Sequence, residues 1–200
     1  DPWLARSDSP GPSGNWALRL RVRTDHAEDA SNIVGVHPDA ADERDRLDRL
    51  EPPAPPGDWV QLAIADLSWD RYAGRYSQDW RALGAEGHAW DLEIRSVASA
   101  EVVSLEPMAL LDPPAGVVAR LVDVEVGTAV VLQIPVGSTE VGPPDVSPPE
   151  TEPLMTYPVL SYGPDRPYRL RLLVGTAAYV NAEATQLLEV PREVTLQQNS

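Results

Sequence analysis

The sequence of 200 residues predicts an all-β protein, an antiparallel β-sandwich that forms either one large domain or, as the shift in composition near residues 98–101 favours, two consecutive modules. Apolar and polar residues alternate in about nine or ten short stretches, and this period places one face of each strand in a core. No helix longer than about ten residues is predicted, because no stretch keeps helical spacing for that length. The 21 prolines and 13 glycines fall largely between the stretches and supply the turns that a sandwich requires.

The predicted strands share one property, which is an apolar residue at every second position. In WALRLRVRT, Leu18, Leu20 and Val22 lie on one face and arginines on the other. The same alternation occurs in WVQLAIADL, with Val60, Leu62, Ile64 and Asp66, and in HAWDLEIRSV, with Trp90, Leu92 and Ile94. The Val-Gly-Thr tripeptide at 126–128 predicts a hairpin turn, and the last strands are predicted in QLLEV and EVTLQ.

The distribution of proline, glycine and charge predicts the domain organisation. Residues 1–14, rich in Pro, Gly and Ser, are expected to form an extended N-terminal arm. Residues 15–98 are predicted to form a first sandwich module with an acidic loop, and residues 99–200 a second module. The segment 136–158 is acidic and rich in proline, which favours a long loop.

Composition excludes several classes of function. The net charge of −15 repels phosphate backbones, so neither nucleic acid nor an anionic membrane is an expected partner. The chain has no Cys, all 16 basic residues are Arg, and no nucleophile elbow or phosphate-binding loop is present. No apolar run approaches the length of a membrane helix. The sequence therefore predicts a protein that is not an enzyme and does not insert into a membrane.

Several stretches in order resemble a repeat module of large secreted bacterial cell-surface proteins: WALRLRVRTD, ASNIVGVHPDAADERDRLD, LEPPAPPGDWVQL, SQDWR and HAWDLEI. The later stretches, PPAGVVARLVDVEVGTAVVL, Tyr157 and RPYRLRLLVGT, resemble the immunoglobulin-like module that commonly follows it. The resemblance covers most of residues 15–176. It implies an immunoglobulin-like C-terminal half and a role as spacer, stalk or adhesive piece. It also implies an extracellular or cell-surface location, and the first residue, Asp rather than Met, fits a processed chain.

The acidic loop contains a candidate calcium site. Its members are Asp25, Glu28, Asp29 and Asn32. Calcium binds about six to eight oxygen atoms from carboxylates, amide side chains and backbone carbonyls, which such a cluster supplies. A chain without disulfides would gain stability from an ion of this kind. The alternative is that these side chains are simply solvated, since their spacing does not match an EF-hand.

The stretch LSWDRYAGRYSQDW at 67–80 is the candidate ligand site. Its residues Trp69, Tyr72, Arg75 and Tyr76 could stack on a sugar ring and bind its hydroxyls, as in a carbohydrate-binding module. The same residues could instead form a protein interface, because Tyr, Trp and Arg are enriched in hot spots. A third interpretation is core packing, because a chain with no Phe has few other large side chains; Asp79 and Arg81 would then pair and brace this stretch.

The function expected from these features is a structural or adhesive protein outside the cell, either one module of a larger protein or a self-assembling filament or surface-layer subunit. Val194 and Leu196 alternate with polar residues in the last predicted strand, as in a strand added to a neighbour's sheet. The alternative is that this strand closes its own sandwich. Expected partners are therefore further copies or neighbouring modules, or a glycan if the aromatic stretch binds one.

Overall fold

The structure, a computed structural model, describes residues 14–111, 113–133 and 155–189. The predicted arm up to residue 13, most of the loop at 136–158, and the terminal strand with Val194 and Leu196 lie outside these residues. The strands are β1 Trp16–Arg23, β2 Glu28–Val36, β3 Arg49–Leu50, β4 Val60–Asp66, β5 Gly74–Arg81, β6 Gly87–Ser96, β7 Ser99–Leu111, β8 Val117–Asp123, β9 Thr128–Leu132, β10 Tyr157–Tyr162 and β11 Tyr168–Thr176. A 3₁₀ turn covers Asp70–Tyr72, and the helix α1 covers Ala177–Glu189.

Within the described residues all these strands belong to one sheet. Its order is β10-β7-β1-β2-β5-β4-β6-β11-β8-β9, with β3 paired to β5. The strands from residues 15–98 therefore form the middle of the sheet, and those from residues 99–200 form its two ends. The sheet curls, so that β10 contacts β6 and β11 and a single large core draws side chains from both parts of the chain.

The alternation that predicted the strands also sets their buried faces. Leu18, Leu20 and Val22 are fully buried, as are the inward residues of β4 and β6, which confirms the predicted strands and their core faces. The predicted turn at 126–128 is confirmed, because β8 and β9 pair across it and Gly127 has a φ of 81°.

The prediction of purely antiparallel pairing is wrong for one pair of strands. Ile33 to Val36 in β2 pair in parallel with Gln78 to Arg81 in β5. Parallel neighbours need a long crossover, and residues 37–73 supply it with β3, β4 and the 3₁₀ turn. This pairing brings the acidic segment of the crossover beside the aromatic stretch.

The predicted strand QLLEV is also wrong, because residues 186–189 belong to the helix α1. Val180, Ala184 and Leu187 recur at helical spacing, and the first two are buried against Val122 and Leu173 on the outer face of the sheet. The hydroxyl of Thr176 accepts a 3.2 Å hydrogen bond from the backbone N–H of Tyr179 and so caps the helix.

Two glycines allow close packing at the start of this helix, Gly87 against the helix itself and Gly175 against the neighbouring strand β6. Gly87 and Gly175 are partners in the β6–β11 register. A Cβ atom on Gly87 would collide with the ring of Tyr179, and one on Gly175 would collide with the backbone of Glu86 and Gly87. The first turn of α1 therefore depends on the missing side chains.

Candidate functional site

The aromatic stretch runs from the end of β4, through the 3₁₀ turn, into β5. Trp69 is only 8% exposed and Tyr76 is fully buried, whereas Tyr72 is 38% exposed. The rings of Trp69 and Tyr76 meet edge to face with their centroids 5.0 Å apart, and the Tyr76 hydroxyl donates a 2.5 Å hydrogen bond to the Tyr72 carbonyl oxygen. The three rings do not share an exposed surface, and two of them pack in the core.

Arg75 lies on the other face of β5 from Tyr76, because successive residues of a strand point in opposite directions. Its Nε donates a 2.6 Å hydrogen bond to Oε2 of Glu93 on β6, a carboxylate that is almost completely buried. Arg75 is therefore not brought together with the rings, and its guanidinium supports the outer face of the sheet.

A buried charge network follows the aromatic stretch. Nη2 of Arg81 donates 2.8 Å hydrogen bonds to Asp66 and to Asp79, which confirms the predicted pairing of Asp79 with Arg81. The guanidinium also lies 4.9 Å from the centroid of the Trp69 ring. Asp48, from the crossover, accepts a 2.9 Å hydrogen bond from the backbone N–H of Trp80. One arginine thus joins the ends of β4 and β5.

Burial raises the pKa of two carboxylates in this network. Desolvation raises the pKa of Asp79 to about 6, although the neighbouring Arg81 opposes the shift. Burial likewise raises the pKa of Asp48, against hydrogen bonds from the backbone of Asp45 and Trp80. The protein shields these carboxylates from solvent, so the network joins strands rather than binding a ligand.

A cleft of about 310 Å³ opens beside this network on the solvent side. It is lined by Glu43, Arg44, Ser68, Trp69, Asp70, Arg71 and Tyr72. The guanidinium carbons of Arg44 and Arg71 lie 4.9 and 4.7 Å from the centroid of the Tyr72 ring. Because of these two contacts, Tyr72 is covered by arginines rather than open for stacking. The neighbouring Asp70 has a φ of 43°, a left-handed conformation that is uncommon for a residue with a side chain.

A larger groove of about 770 Å³ crosses the outer face of β4, β6 and β11 and is bounded by Leu187 of α1. Its charged groups are already paired. Arg171 makes two hydrogen bonds of 2.5 and 2.6 Å to Asp91, and Glu93 lies within 4.0 Å of guanidinium nitrogens from Arg75, Arg95 and Arg169. The charged side chains that line the groove therefore neutralise one another in ion pairs.

The predicted calcium residues are distributed along β2 and the turn before it. Asp25 lies in the β1–β2 turn, and Glu28 and Asp29 are the first two residues of β2. Asp29 accepts a 2.9 Å hydrogen bond from the Leu62 backbone N–H, while Asn32 is fully buried beside Leu20. No group of three or more His, Cys, Asp or Glu residues in the described ranges is arranged to hold a metal ion. The geometry gives the calcium prediction no support.

The strands at the two ends of the sheet are the remaining candidate surface. Leu160 on β10 is 50% exposed and its partner Val102 on β7 is 62% exposed, while Val131 on β9 is 51% exposed. In the part of the chain that the structure describes, neither β10 nor β9 pairs with a second strand on its outer side. Both edge strands thus carry exposed apolar side chains and have no second strand partner among the described residues.

One residue at the centre of the fold was not singled out from the sequence. Asp123 is buried at the end of β8, and its Oδ2 accepts hydrogen bonds from the hydroxyls of Tyr157 and Tyr168, at 2.9 and 2.6 Å. Its Oδ1 accepts two more from the backbone N–H groups of Glu125 and Val126. An Asp four residues before Gly127 was a local signal for the turn, but the two tyrosines come from distant strands.

Comparison of the chain with protein-family models, with curated proteins and with solved structures gave no match. The resemblance to a bacterial surface module therefore stays a prediction. None of the helices that the structure describes is long and apolar enough to cross a membrane.

Proposed function

We propose that this chain is a non-catalytic structural or adhesive protein that assembles head to tail with further copies of itself, one edge of the sheet against the other. The observation that carries this proposal is the composition of the two edge strands. β10 reads YPVLSY and β9 reads TAVVL, so neither carries a charge in a chain with 24% charged residues. Natural sheets usually protect such edges with charges, because unprotected edges recruit other strands.

The two edges belong to different strands, so pairing between them is heterologous. Each copy that joins through its β9 edge still presents a β10 edge to the next copy. The assembly grows without limit unless the rotation between successive copies closes it into a ring. Pro158 removes one N–H from β10, which leaves the segment from Val159 to Tyr162 for pairing. The expected product is a filament or layer in which backbone hydrogen bonds supply affinity and apolar side chains set the register.

The use of the ionisable residues supports a role without catalysis. The buried carboxylates of Asp66 and Asp79 are bound to Arg81, and Asp123 holds two tyrosines and a turn. His88 is half-buried, with Nε2 at 3.1 Å from the Ala82 carbonyl oxygen, and burial lowers its pKa. These groups are occupied in joining strands, which leaves none of them poised on a substrate.

An extracellular or cell-surface location and an immunoglobulin-like second half remain part of the proposal and follow from the resemblance, while the division into two modules follows from the shift in composition near residues 98–101. The carbohydrate-binding alternative based on three coplanar rings is not favoured, because Trp69 and Tyr76 are buried.

The test is sedimentation velocity on the wild type and on two single variants. Leu160→Arg blocks the β10 edge and Val131→Arg blocks the β9 edge. Each variant alone should remain monomeric at concentrations where the wild type forms large species. An equimolar mixture should form dimers, because one unblocked edge of each kind is present.

Val97→Arg is the matched control, since Val97 is 41% exposed but lies in the turn between β6 and β7 rather than on an edge. It should assemble like the wild type. A wild type that stays monomeric at high concentration would contradict the proposal, as would a mixture of the two edge variants that forms no dimer.

A further inference from the structure

Two arginines that form no ion pair with a described residue line the cleft at the 3₁₀ turn. Most arginines of the described residues form ion pairs: Arg21, Arg23, Arg46, Arg75, Arg81, Arg95, Arg166, Arg169 and Arg171. Arg44 and Arg71 form none with any described carboxylate, although the chain has 31 acidic residues and only 16 basic ones. Both line the same cleft. This cleft therefore offers a ligand two guanidinium groups that no described carboxylate neutralises.

Tyr72 holds these two guanidinium groups in place. Their carbon atoms lie 4.9 and 4.7 Å from its ring centroid, within the range of a cation–π contact. Neither guanidinium donates a hydrogen bond to another described residue, so its N–H groups can donate to a ligand. Because the side chains are held before a ligand arrives, less conformational entropy is lost on binding.

The other walls of the cleft restrict the ligand further. Glu43 and Asp70 also line the cleft, and their carboxylates form no ion pair with Arg44 or Arg71, so they can accept hydrogen bonds from hydroxyl groups of a ligand. Ser68 adds a hydroxyl, and Trp69 adds an apolar edge. The complementary molecule has one carboxylate, several hydroxyls and a compact ring. The volume of about 310 Å³ suits a single unit of this size.

We propose that this cleft binds an acidic sugar of the hexuronate class, with Arg44 and Arg71 as the donors to its carboxylate and Glu43 and Asp70 as acceptors from its hydroxyls. An arginine offers two parallel N–H donors to a carboxylate, a geometry that a neutral sugar cannot use. The site is independent of the edge strands and differs from a surface of three stacked rings.

The test uses isothermal titration calorimetry of the full chain with three probes: D-glucuronate, glucose, which lacks the carboxylate, and acetate, which lacks the hydroxyls. Glucuronate should bind at least about tenfold more tightly than either of the others. Arg44→Gln and Arg71→Gln should each weaken glucuronate about tenfold, the size expected for the loss of a charge-assisted hydrogen bond. Arg44→Lys keeps the charge but loses the pair of parallel N–H donors. Its affinity for glucuronate should lie between those of the wild type and Arg44→Gln.

Arg46→Gln is the matched control, because it removes the same charge from the same loop but does not line the cleft. Its affinity for glucuronate should stay within about twofold of the wild type. The proposal is overturned if glucuronate shows no binding in the millimolar range or binds no better than acetate. It is also overturned if Arg46→Gln weakens binding as much as Arg44→Gln. Thermal unfolding of each variant checks that the exposed substitutions leave the fold intact.

Discussion

The hydroxyl of Tyr168 donates a 2.6 Å hydrogen bond to the carboxylate of Asp123, and this contact joins β11 to the turn between β8 and β9. Both residues are buried, so this hydrogen bond to a carboxylate is shielded from water. Asp123 also fixes the hydroxyl of Tyr157 at the start of β10. A single carboxylate therefore holds the two ends of the curled sheet together.

Tyr168→Phe should lower the free energy of unfolding by about 1 to 2 kcal/mol, because it removes one donor from a buried charged acceptor. Tyr162→Phe is the matched control, since Tyr162 stacks on Tyr168 but is 36% exposed. It should change stability by less than about 0.5 kcal/mol. Urea unfolding followed by tryptophan fluorescence measures both, and equal losses in the two variants would contradict the role given to Asp123.

Glu51 should make stability fall as the pH rises. Burial and the neighbouring Asp29 raise its pKa from an ordinary 4.5 to about 7, against a hydrogen bond from Gln61. The folded state therefore binds the proton more tightly than the unfolded state, and the free energy of unfolding decreases between about pH 4.5 and 7. Glu51→Gln cannot titrate. At pH 8 it should be more stable than the wild type by about 1 to 2 kcal/mol, a value reduced for solvent screening.

Urea unfolding at pH 5 and pH 8 gives this difference, with Asp58→Asn as the control for an exposed carboxylate in the same loop. The control should follow the wild type at both values of pH. A Glu51→Gln variant that parallels the wild type across this range would show that the folded protein does not hold the proton at Glu51.

Asn32→Leu should stabilise the protein. Asn32 is fully buried among apolar side chains of β1 and β2, and neither atom of its amide has a hydrogen-bond partner in the described part of the chain. A buried polar group without a partner costs about 1 to 3 kcal/mol, and leucine has the same branched skeleton with methyl groups in place of the two polar atoms. Asn181→Leu, on the exposed side of α1, should be nearly neutral.

Thermal and urea unfolding measure this change. A loss of stability in Asn32→Leu would contradict a net cost of the buried amide. Addition of calcium to the wild type, compared with addition of a chelator, tests the predicted calcium site separately, and an unchanged melting temperature in both conditions would contradict that site.

Gly175→Ala should destabilise the protein by about 1 to 3 kcal/mol, because the added Cβ meets the backbone of Glu86 and Gly87, which cannot rotate away. Gly74→Ala is the matched control on β5, where the nearest atom to a built Cβ is 3.7 Å away. It should be neutral or slightly stabilising, since alanine loses less backbone entropy on folding. Circular dichroism at 222 nm reports whether α1 remains in place, and similar losses in both variants would contradict the close packing at Gly175.

The local pattern of the sequence predicts strands better than it predicts their partners. Leu18 and Leu20 alternate with arginines, and that period alone identifies the buried face of β1. The helix α1 was missed because its alanines give it a weak apolar face, although Val180 and Ala184 have helical spacing. The parallel β2–β5 pairing could not be predicted, since it depends on where a crossover of residues 37–73 returns to the sheet.

The candidate site shows the same limit. The sequence placed Tyr72 beside arginines, and Asp79 two residues from Arg81 on one face of a strand. The convergence of Arg44 with Arg71 depends on the path of the acidic crossover, which carries no periodic signal. Trp69 and Tyr76 could have formed either an exposed binding surface or part of the core. Their burial in the core depends on the curl of the whole sheet.

Edge-to-edge assembly is the central claim, and hydrogen–deuterium exchange at two protein concentrations tests it most directly. Amides of Thr128–Leu132 in β9 and of Val159 to Tyr162 in β10 should become protected together as the concentration rises, because each edge acquires a partner strand. Amides of the central strand β4 should not change. Exchange at both edges that is independent of concentration, or protection gained at one edge alone, would contradict head-to-tail pairing.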